Sequence, residues 1–131
     1  MRAILCVDDE EFVLRALSQD LEKNFSDDYT IELAQSAKDA LEILDELEED
    51  SINVVIIISD WLMPGMKGDE FLIEAHKKFP KVIKILLTGQ ADKDAIQNVK
   101  DYTNLKDVIA KPWDSIELIK LIKNELGDNN E

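Results

Sequence analysis

Val54-Val55-Ile56-Ile57-Ile58 is apolar and β-branched at every position. Such a run suits a strand covered on both faces, as in a parallel sheet with helices on either side. Three other apolar runs are built alike: Ala3-Ile4-Leu5-Cys6-Val7, Val82-Ile83-Lys84-Ile85-Leu86-Leu87 and Val108-Ile109-Ala110. Each of the four runs stops at polar residues. Asp60 closes the first, after Ser59; Asp8 and Asp9, Thr88 and Lys111 close the others. In a parallel α/β sheet the carboxyl ends of the strands share one edge, where ligands bind. Four strand ends therefore gather three Asp, a Thr and a Lys around one crevice.

Helical spacing fills the gaps between these runs. A strand over Arg2–Val7 is followed by a helix over Glu11–Phe25, with Val13, Leu14, Leu17, Leu21 and Phe25 on one face. Tyr29–Ala34 alternates as a second strand. Ser36 then caps a helix whose stripe is Ala37, Ala40, Leu41, Leu44 and Leu47, ending in the solvated acidic run Glu48-Glu49-Asp50. Residues 53–59 form the third strand. Gly68–Lys78 forms a helix that Pro80 prevents from continuing. The fourth strand runs from 82 to 88, a weakly amphipathic helix covers 91–101, and a short strand covers 107–110. Asp114 with Glu117 fits a capping box for the last helix, and Trp113 with Leu118 fits a hydrophobic staple. Gly127 ends that helix, and 128–131 read as a frayed tail or the start of a linker. Strict alternation of strand and helix predicts βαβ units.

At 131 residues the chain is one domain. Its net charge of −14 argues against direct contact with nucleic acid or an anionic membrane and suits cations or a basic surface. Cys6 is the only cysteine, so an internal disulfide is impossible; its place in a strand marks it as core. No run approaches the roughly 18 apolar residues of a membrane span. Met1-Arg2-Ala3-Ile4 enters a strand at once and leaves no room for a signal peptide. A cytoplasmic location is the expectation.

Three carboxylates in one crevice repel one another unless a cation joins them. Mg²⁺ accepts one or two carboxylates, keeps several waters and completes its shell with phosphate oxygens. Asp60 could then attack phosphorus and become an aspartyl phosphate. Lys111 can neutralise a phosphoryl oxygen, the Thr88 hydroxyl can bond another, and Gly89 leaves space for the incoming group. A lone strand-end Asp is more often a helix cap; the convergence of five groups weakens that reading. Of the adjacent pair, Asp9 is expected to face the metal, with Asp8 capping or acting through water. Glu10 either caps the first helix or joins the acidic set. His76, the only histidine, lacks partner ligands and reads as structural. Trp61 either packs or lies exposed beside the site.

The pieces Val7-Asp8-Asp9-Glu10, Ser59-Asp60-Trp61-Leu62-Met63-Pro64-Gly65-Met66-Lys67-Gly68, Leu87-Thr88-Gly89 and Lys111-Pro112 stand in order, each at a strand end. Together they resemble the receiver domain of two-component response regulators, over essentially the whole chain. The resemblance implies a flavodoxin-like, doubly wound (βα)5 three-layer sandwich with strand order 2-1-3-4-5, over residues 1–126, with 127–131 as tail or linker. It implies that Asp60 accepts a phosphoryl group from a histidine kinase phosphohistidine or a phosphotransfer protein. Mg²⁺ would be held by Asp8, Asp9, Asp60 and the Leu62 backbone carbonyl, with Thr88 and Lys111 on the phosphoryl group. It implies a switch rather than an enzyme, with at most self-phosphorylation and autodephosphorylation, and a cis peptide at Lys111–Pro112. The output surface would be the fourth helix, fifth strand and fifth helix, reaching a downstream domain or protein; a homodimer stays open. The position of the family's aromatic switch is Val108 here, which puts the usual rotamer mechanism in doubt, and Trp113 is the more conspicuous aromatic on that side. Gln90 stands where the family tunes phosphoryl lifetime. Lys111-Pro112-Trp113 is similar to receivers fused to cyclic-dinucleotide phosphodiesterase or cyclase modules, which favours the regulatory part of a longer protein.

Three other classes share parts of this pattern. Haloacid-dehalogenase-like phosphatases need a general acid two residues after the nucleophile, and Leu62 cannot supply a proton. A flavodoxin binds its flavin phosphate after the first strand, where Asp8-Asp9-Glu10-Glu11 would repel it. A degenerate receiver serving only as a binding module would have no need of Asp60, Thr88 and Lys111 together.

Overall fold

The computed structural model describes residues 1–25, 27–89 and 93–127. Along the chain they form β1 (Arg2–Val7), α1 (Glu11–Phe25), β2 (Tyr29–Ala34), α2 (Ala37–Glu49), β3 (Asn53–Asp60), α3 (Gly68–Lys78), β4 (Ile83–Thr88), α4 (Lys93–Tyr102), β5 (Leu105–Ala110) and α5 (Ser115–Leu126). The strands lie parallel in the order β2-β1-β3-β4-β5. This is the flavodoxin-like doubly wound sandwich. The order reverses between β1 and β3, and such a reversal opens a crevice at the carboxyl edge.

Two apolar layers hold the helices to the sheet. Leu44 and Leu47 of α2, Phe71 and Leu72 of α3 and Val99 of α4 pack on one face, over Ala3, Leu5 and Val7. Leu14, Leu17 and Leu21 of α1 and Leu118 and Ile122 of α5 pack on the other, over Ile4 and Cys6. In β3, Val54 and Ile57 face the first layer while Ile56 and Ile58 face the second. That phase change follows from a bulge: Ala3 pairs with Val54, but Ile4 pairs with Ile56. Because both faces are covered, β3 is apolar almost throughout. Burial pushes the Cys6 thiol up to about 12, as a core position would.

Local signals set most boundaries. Ser36 Oγ accepts from Asp39 N at 3.0 Å to start α2. Asp114 Oδ1 accepts from Ile116 N at 2.9 Å and Glu117 N at 3.1 Å to start α5. Gly127, at φ +75°, closes α5 in the left-handed conformation that glycine adopts without strain. Trp113 packs against the cluster that contains Leu118, as a staple requires.

Some boundaries differ from expectation. β3 runs on to Asp60, which pairs with Leu87. β4 begins at Ile83, one residue late. β5 begins at Leu105, two residues early, since an edge strand leaves Lys106 and Asp107 in solvent and its start carries no apolar signature. α4 runs from Lys93 to Tyr102; Gln90, Ala91 and Asp92 and the tail 128–131 lie outside the described residues. Among the described residues no helix is long and apolar enough to cross a membrane.

Lys84, the one charged residue of its apolar run, is fully buried. Its ammonium donates to His76 Nδ1 and Asn104 Oδ1, each at 2.9 Å, to the Phe79 carbonyl at 3.3 Å and the Pro80 carbonyl at 3.4 Å, and to the Val82 carbonyl. The buried cation is thus surrounded by carbonyl, amide and imidazole acceptors from α3, the following turn and Asn104. Burial pulls the Lys84 ammonium down to about 8. Burial and the Lys84 charge hold His76 below its ordinary value. His76 is therefore a structural acceptor for Lys84.

Candidate functional site

The ends of β1, β3, β4 and β5 meet as the strand pattern requires. Asp8 directly follows β1, and its N–H donates to the Ala34 carbonyl at the end of β2 at 3.1 Å. Its side chain is fully buried and committed on both oxygens. Oδ1 accepts from Glu10 N at 2.9 Å, and Oδ2 accepts from Lys111 Nζ at 2.7 Å. Asp60 closes β3; its Oδ1 accepts from Trp61 N at 2.9 Å and lies 3.2 Å from Lys111 Nζ. Asp60 Oδ2 takes no hydrogen bond from the described residues. Lys111 is held by its own backbone, since its N–H donates to the Thr88 carbonyl at 3.1 Å. Its ammonium also reaches Glu10 Oε1 at 3.9 Å. The Lys111–Pro112 peptide is cis, as expected.

The loop after Asp60 folds back on α3. Trp61 O accepts from Gly68 N at 2.7 Å. The Trp61 indole is buried among Met63, Phe71 and Leu72, its Nε1 donates to Asp69 Oδ1 at 3.0 Å, and the Lys67 ammonium lies 5.4 Å above its ring. Packing is thus the role of Trp61, and exposure beside the site is ruled out. Gly68 permits this approach: a Cβ there would overlap the Asp60 carbonyl oxygen. Leu62, by contrast, turns outward and lines the crevice.

The crevice, about 390 Å³, is lined by Asp9, Glu10, Asp60, Leu62, Thr88, Gly89 and Lys111. Exposed Asp9 faces it while Asp8 lies buried beneath. One carboxylate oxygen from each of Asp8, Asp9 and Asp60 falls within 4.8 Å of the other two. Burial raises the Asp60 carboxyl above its ordinary value and the Asp8 charge adds to this; Lys111 and the Trp61 N–H oppose it without cancelling it. Burial works against the Lys111 charge, but the hydrogen bond and charge of Asp8, with Asp60, outweigh it and hold the ammonium above its usual range. An all-oxygen donor set with excess negative charge fits a hard divalent cation such as Mg²⁺. Of the three clustered carboxylates, Asp9 and the Oδ2 of Asp60 accept no hydrogen bond from the described residues.

Sequence reasoning brought together Asp8, Asp9, Asp60, Leu62, Thr88 and Lys111, and the structure places all six in or under one crevice. It missed Asp69, the partner of Trp61, and Asp20, whose carboxylate takes the Trp113 indole N–H. A buried indole needs an acceptor, but no local pattern names one 93 residues away. Val108 packs partly buried against the α2–α3–α4 layer.

Comparison with known proteins agrees with this geometry. The model of the response regulator receiver domain matches residues 4–123. The hydrogenase transcriptional regulatory protein HoxA of Cupriavidus necator is 30% identical over 121 residues, covering 92% of this chain. The chain spans only 23% of that relative's length. The signal receiver domain of an HD domain-containing protein from Pseudomonas fluorescens Pf-5 superposes with a TM-score of 0.84 at 32% identity, covering 96% of this chain and 94% of its own. A CheY-like response regulator receiver domain protein from Methanospirillum hungatei JF-1 superposes with a TM-score of 0.83 at 28% identity, covering 98% and 95%.

Proposed function

This chain belongs to the response regulator receiver family, and on that premise we propose that Asp60 accepts a phosphoryl group from the phosphohistidine of a histidine kinase or phosphotransfer protein. The observation that carries the reading is the Asp60 carboxylate at the end of the central strand, 3.2 Å from Lys111 Nζ and clustered with Asp8 and Asp9. An Asp60 oxygen forms a bond to phosphorus as the donor's P–N bond breaks, and the electron pair leaves with the imidazole nitrogen. Lys111 stands ready to balance charge on an equatorial phosphoryl oxygen, and buried Thr88, lining the crevice, offers its hydroxyl to another. Asp9, Asp60 and the Leu62 carbonyl, with Asp8 beneath, would hold Mg²⁺, which when bound neutralises phosphoryl oxygens and the clustered carboxylates. No side chain at Leu62 can protonate a leaving group, so the chain acts as a switch rather than a turnover phosphatase.

Phosphorylation adds about −1.5 to −2 charges where Lys111 now pairs with carboxylates. Lys111 and Thr88 are drawn to the new oxygens, and the surface of α4, β5 and α5 shifts population. Exposed Tyr102 and Ile116 give that face apolar contact area for an output domain or protein. Residues 1–126 form the receiver, working as the regulatory part of a longer protein in two-component signalling. The charge of −14 favours such protein contacts over direct nucleic acid or membrane binding.

Intact mass after incubation with acetyl phosphate and Mg²⁺ tests the reading. One phosphoryl adduct is expected, absent in Asp60→Asn and absent with EDTA. No adduct on the wild-type chain, with beryllofluoride also leaving its Trp fluorescence unchanged, would replace the phosphoacceptor by a receiver used only for binding.

A further inference from the structure

Trp113 lies between Pro112 and the α5 cap Asp114. Its indole N–H donates to Asp20 Oδ2 at 3.0 Å, and Ser115 Oγ donates to the same oxygen at 2.7 Å. Asp20 is half-buried on α1. Among the described residues its carboxylate makes no ion pair and serves two neutral donors. The connection from β5 to α5 is therefore tied at both ends. At its start the Lys111 N–H is bound to the Thr88 carbonyl; at its finish Trp113 and Ser115 are bound to Asp20.

Between the two ties there is little slack. The Pro112 ring fixes one backbone torsion and each peptide unit is planar. A displacement of Trp113 is thus passed to Lys111, which this connection presents to Asp8 and Asp60. Starting and packing α5 do not require Asp20. Asp114 already caps the helix, and Leu118 and Ile122 already bury it against Leu14, Leu17 and Leu21 of α1.

We propose that Asp20 is a positioning residue for phosphoryl transfer: by gripping Trp113 and Ser115 it fixes the connection that aims Lys111 at Asp60, and through the same grip α1 and α5 sense the state of the acceptor. The inference rests on the phosphoacceptor reading of Asp60. Loss of the carboxylate removes the polar grip at the far end of the connection and leaves Trp113 held by packing alone. The ammonium then samples positions off the crevice, which lowers the rate of the bound complex more than the affinity for a small donor.

The test uses the full chain as wild type, Asp20→Ala, Asp20→Asn and Trp113→Phe, with far-UV circular dichroism as the folding check. Phosphorylation by acetyl phosphate with Mg²⁺ is followed by intact mass over a range of donor concentrations. Asp20→Ala is expected to lower the saturating rate about tenfold and move the half-saturating concentration less than about twofold. Trp113→Phe, which removes the N–H and keeps a ring, goes the same way. Asp20→Asn, which keeps an acceptor oxygen, recovers much of the rate. Indole N–H resonances of ¹⁵N-labelled protein give a readout that packing alone would not move. Mg²⁺ with beryllofluoride is expected to shift the Trp113 resonance in wild type and to leave it nearly still in Asp20→Ala. A folded Asp20→Ala with the wild-type saturating rate, or a Trp113 resonance indifferent to beryllofluoride in wild type, overturns the proposal. Should Asp20→Ala fail the folding check, Asp20→Asn and Trp113→Phe decide by the same criteria. If wild type takes no phosphoryl group, both this inference and the phosphoacceptor reading fall; if wild type is modified and the variants match it, this inference alone falls.

Discussion

Gly68→Ala should be among the most damaging single-methyl changes in this chain. An alanine Cβ would overlap the Asp60 carbonyl oxygen and sit 2.8 Å from both the Asp60 carbonyl carbon and Trp61 Cα. All three are backbone atoms, so no rotamer change relieves the overlap. Either β3 shifts at its carboxyl end or α3 retreats and weakens the Gly68 N to Trp61 O hydrogen bond of 2.7 Å. Overpacking costs up to about 3 kcal/mol, and a hydrogen bond lost adds about 1 kcal/mol. The better helix propensity of alanine returns about 1 kcal/mol. The net is about 3 kcal/mol, which for a domain of this size lowers Tm by about 10 °C. Gly89→Ala is the control, because a Cβ there meets none of the described residues within 4 Å; its effect should stay within about 0.5 kcal/mol. Thermal and urea unfolding of both variants measure this. Acetyl phosphate labelling well below both transitions should also show Gly68→Ala slowed, since the displaced carbonyl belongs to Asp60, the proposed acceptor. A Gly68→Ala protein that melts within about 2 °C of wild type would refute the steric argument.

Other expectations follow from the buried titratable groups. Because burial and Asp8 raise the Asp60 carboxyl, the folded state holds that proton more tightly than the unfolded state. Stability therefore falls as pH climbs from the ordinary carboxylate value through the raised one. Asp60→Asn should melt higher than wild type at pH 7, with the advantage shrinking as pH falls through the raised value and gone below about pH 4; an equal or lower Tm at pH 7 counts against this. For Lys84, pulled down to about 8, the unfolded chain binds the proton more tightly between that value and about 10.4. Its contribution to stability therefore rises with pH across that window, by no more than about 1.4 kcal/mol per unit. Urea titrations should show this slope in wild type and not in Lys84→Met; identical slopes would sink the assignment. Cys6, buried and pushed up to about 12, should react with thiol reagents only at the rate of unfolding, so prompt labelling of native protein would contradict its burial.

The sheet and helices were legible because their signals are local. Period-2 and period-3.6 patterns, Ser36, Asp114 and Gly127 each constrain the chain within a few residues. The crevice was legible for a different reason: a parallel sheet brings strand ends together whatever else the chain does. What escaped notice depends on distant partners. Lys84 sits in a run that reads as apolar, and its acceptors lie apart in the chain, His76 on α3 and Asn104 between α4 and β5. Trp61 could be read either way until Asp69 and Phe71 were seen to close around it. The start of β5 was missed because an edge strand can carry Lys106 and Asp107 without penalty.

β4 is gripped at its amino end by the five acceptors of Lys84, drawn from α3, the turn after it and Asn104 beyond α4. A strand pinned in this way behaves as a lever with a fixed fulcrum. It resists sliding lengthwise when something pulls at Thr88, because sliding would strand a buried cation among carbonyls it no longer reaches. A tug at the crevice is instead deflected sideways, across the Thr88 carbonyl to the Lys111 N–H it holds. The end of the sheet remote from the crevice is thereby fixed, and a displacement of Thr88 would be passed to Lys111 through that hydrogen bond.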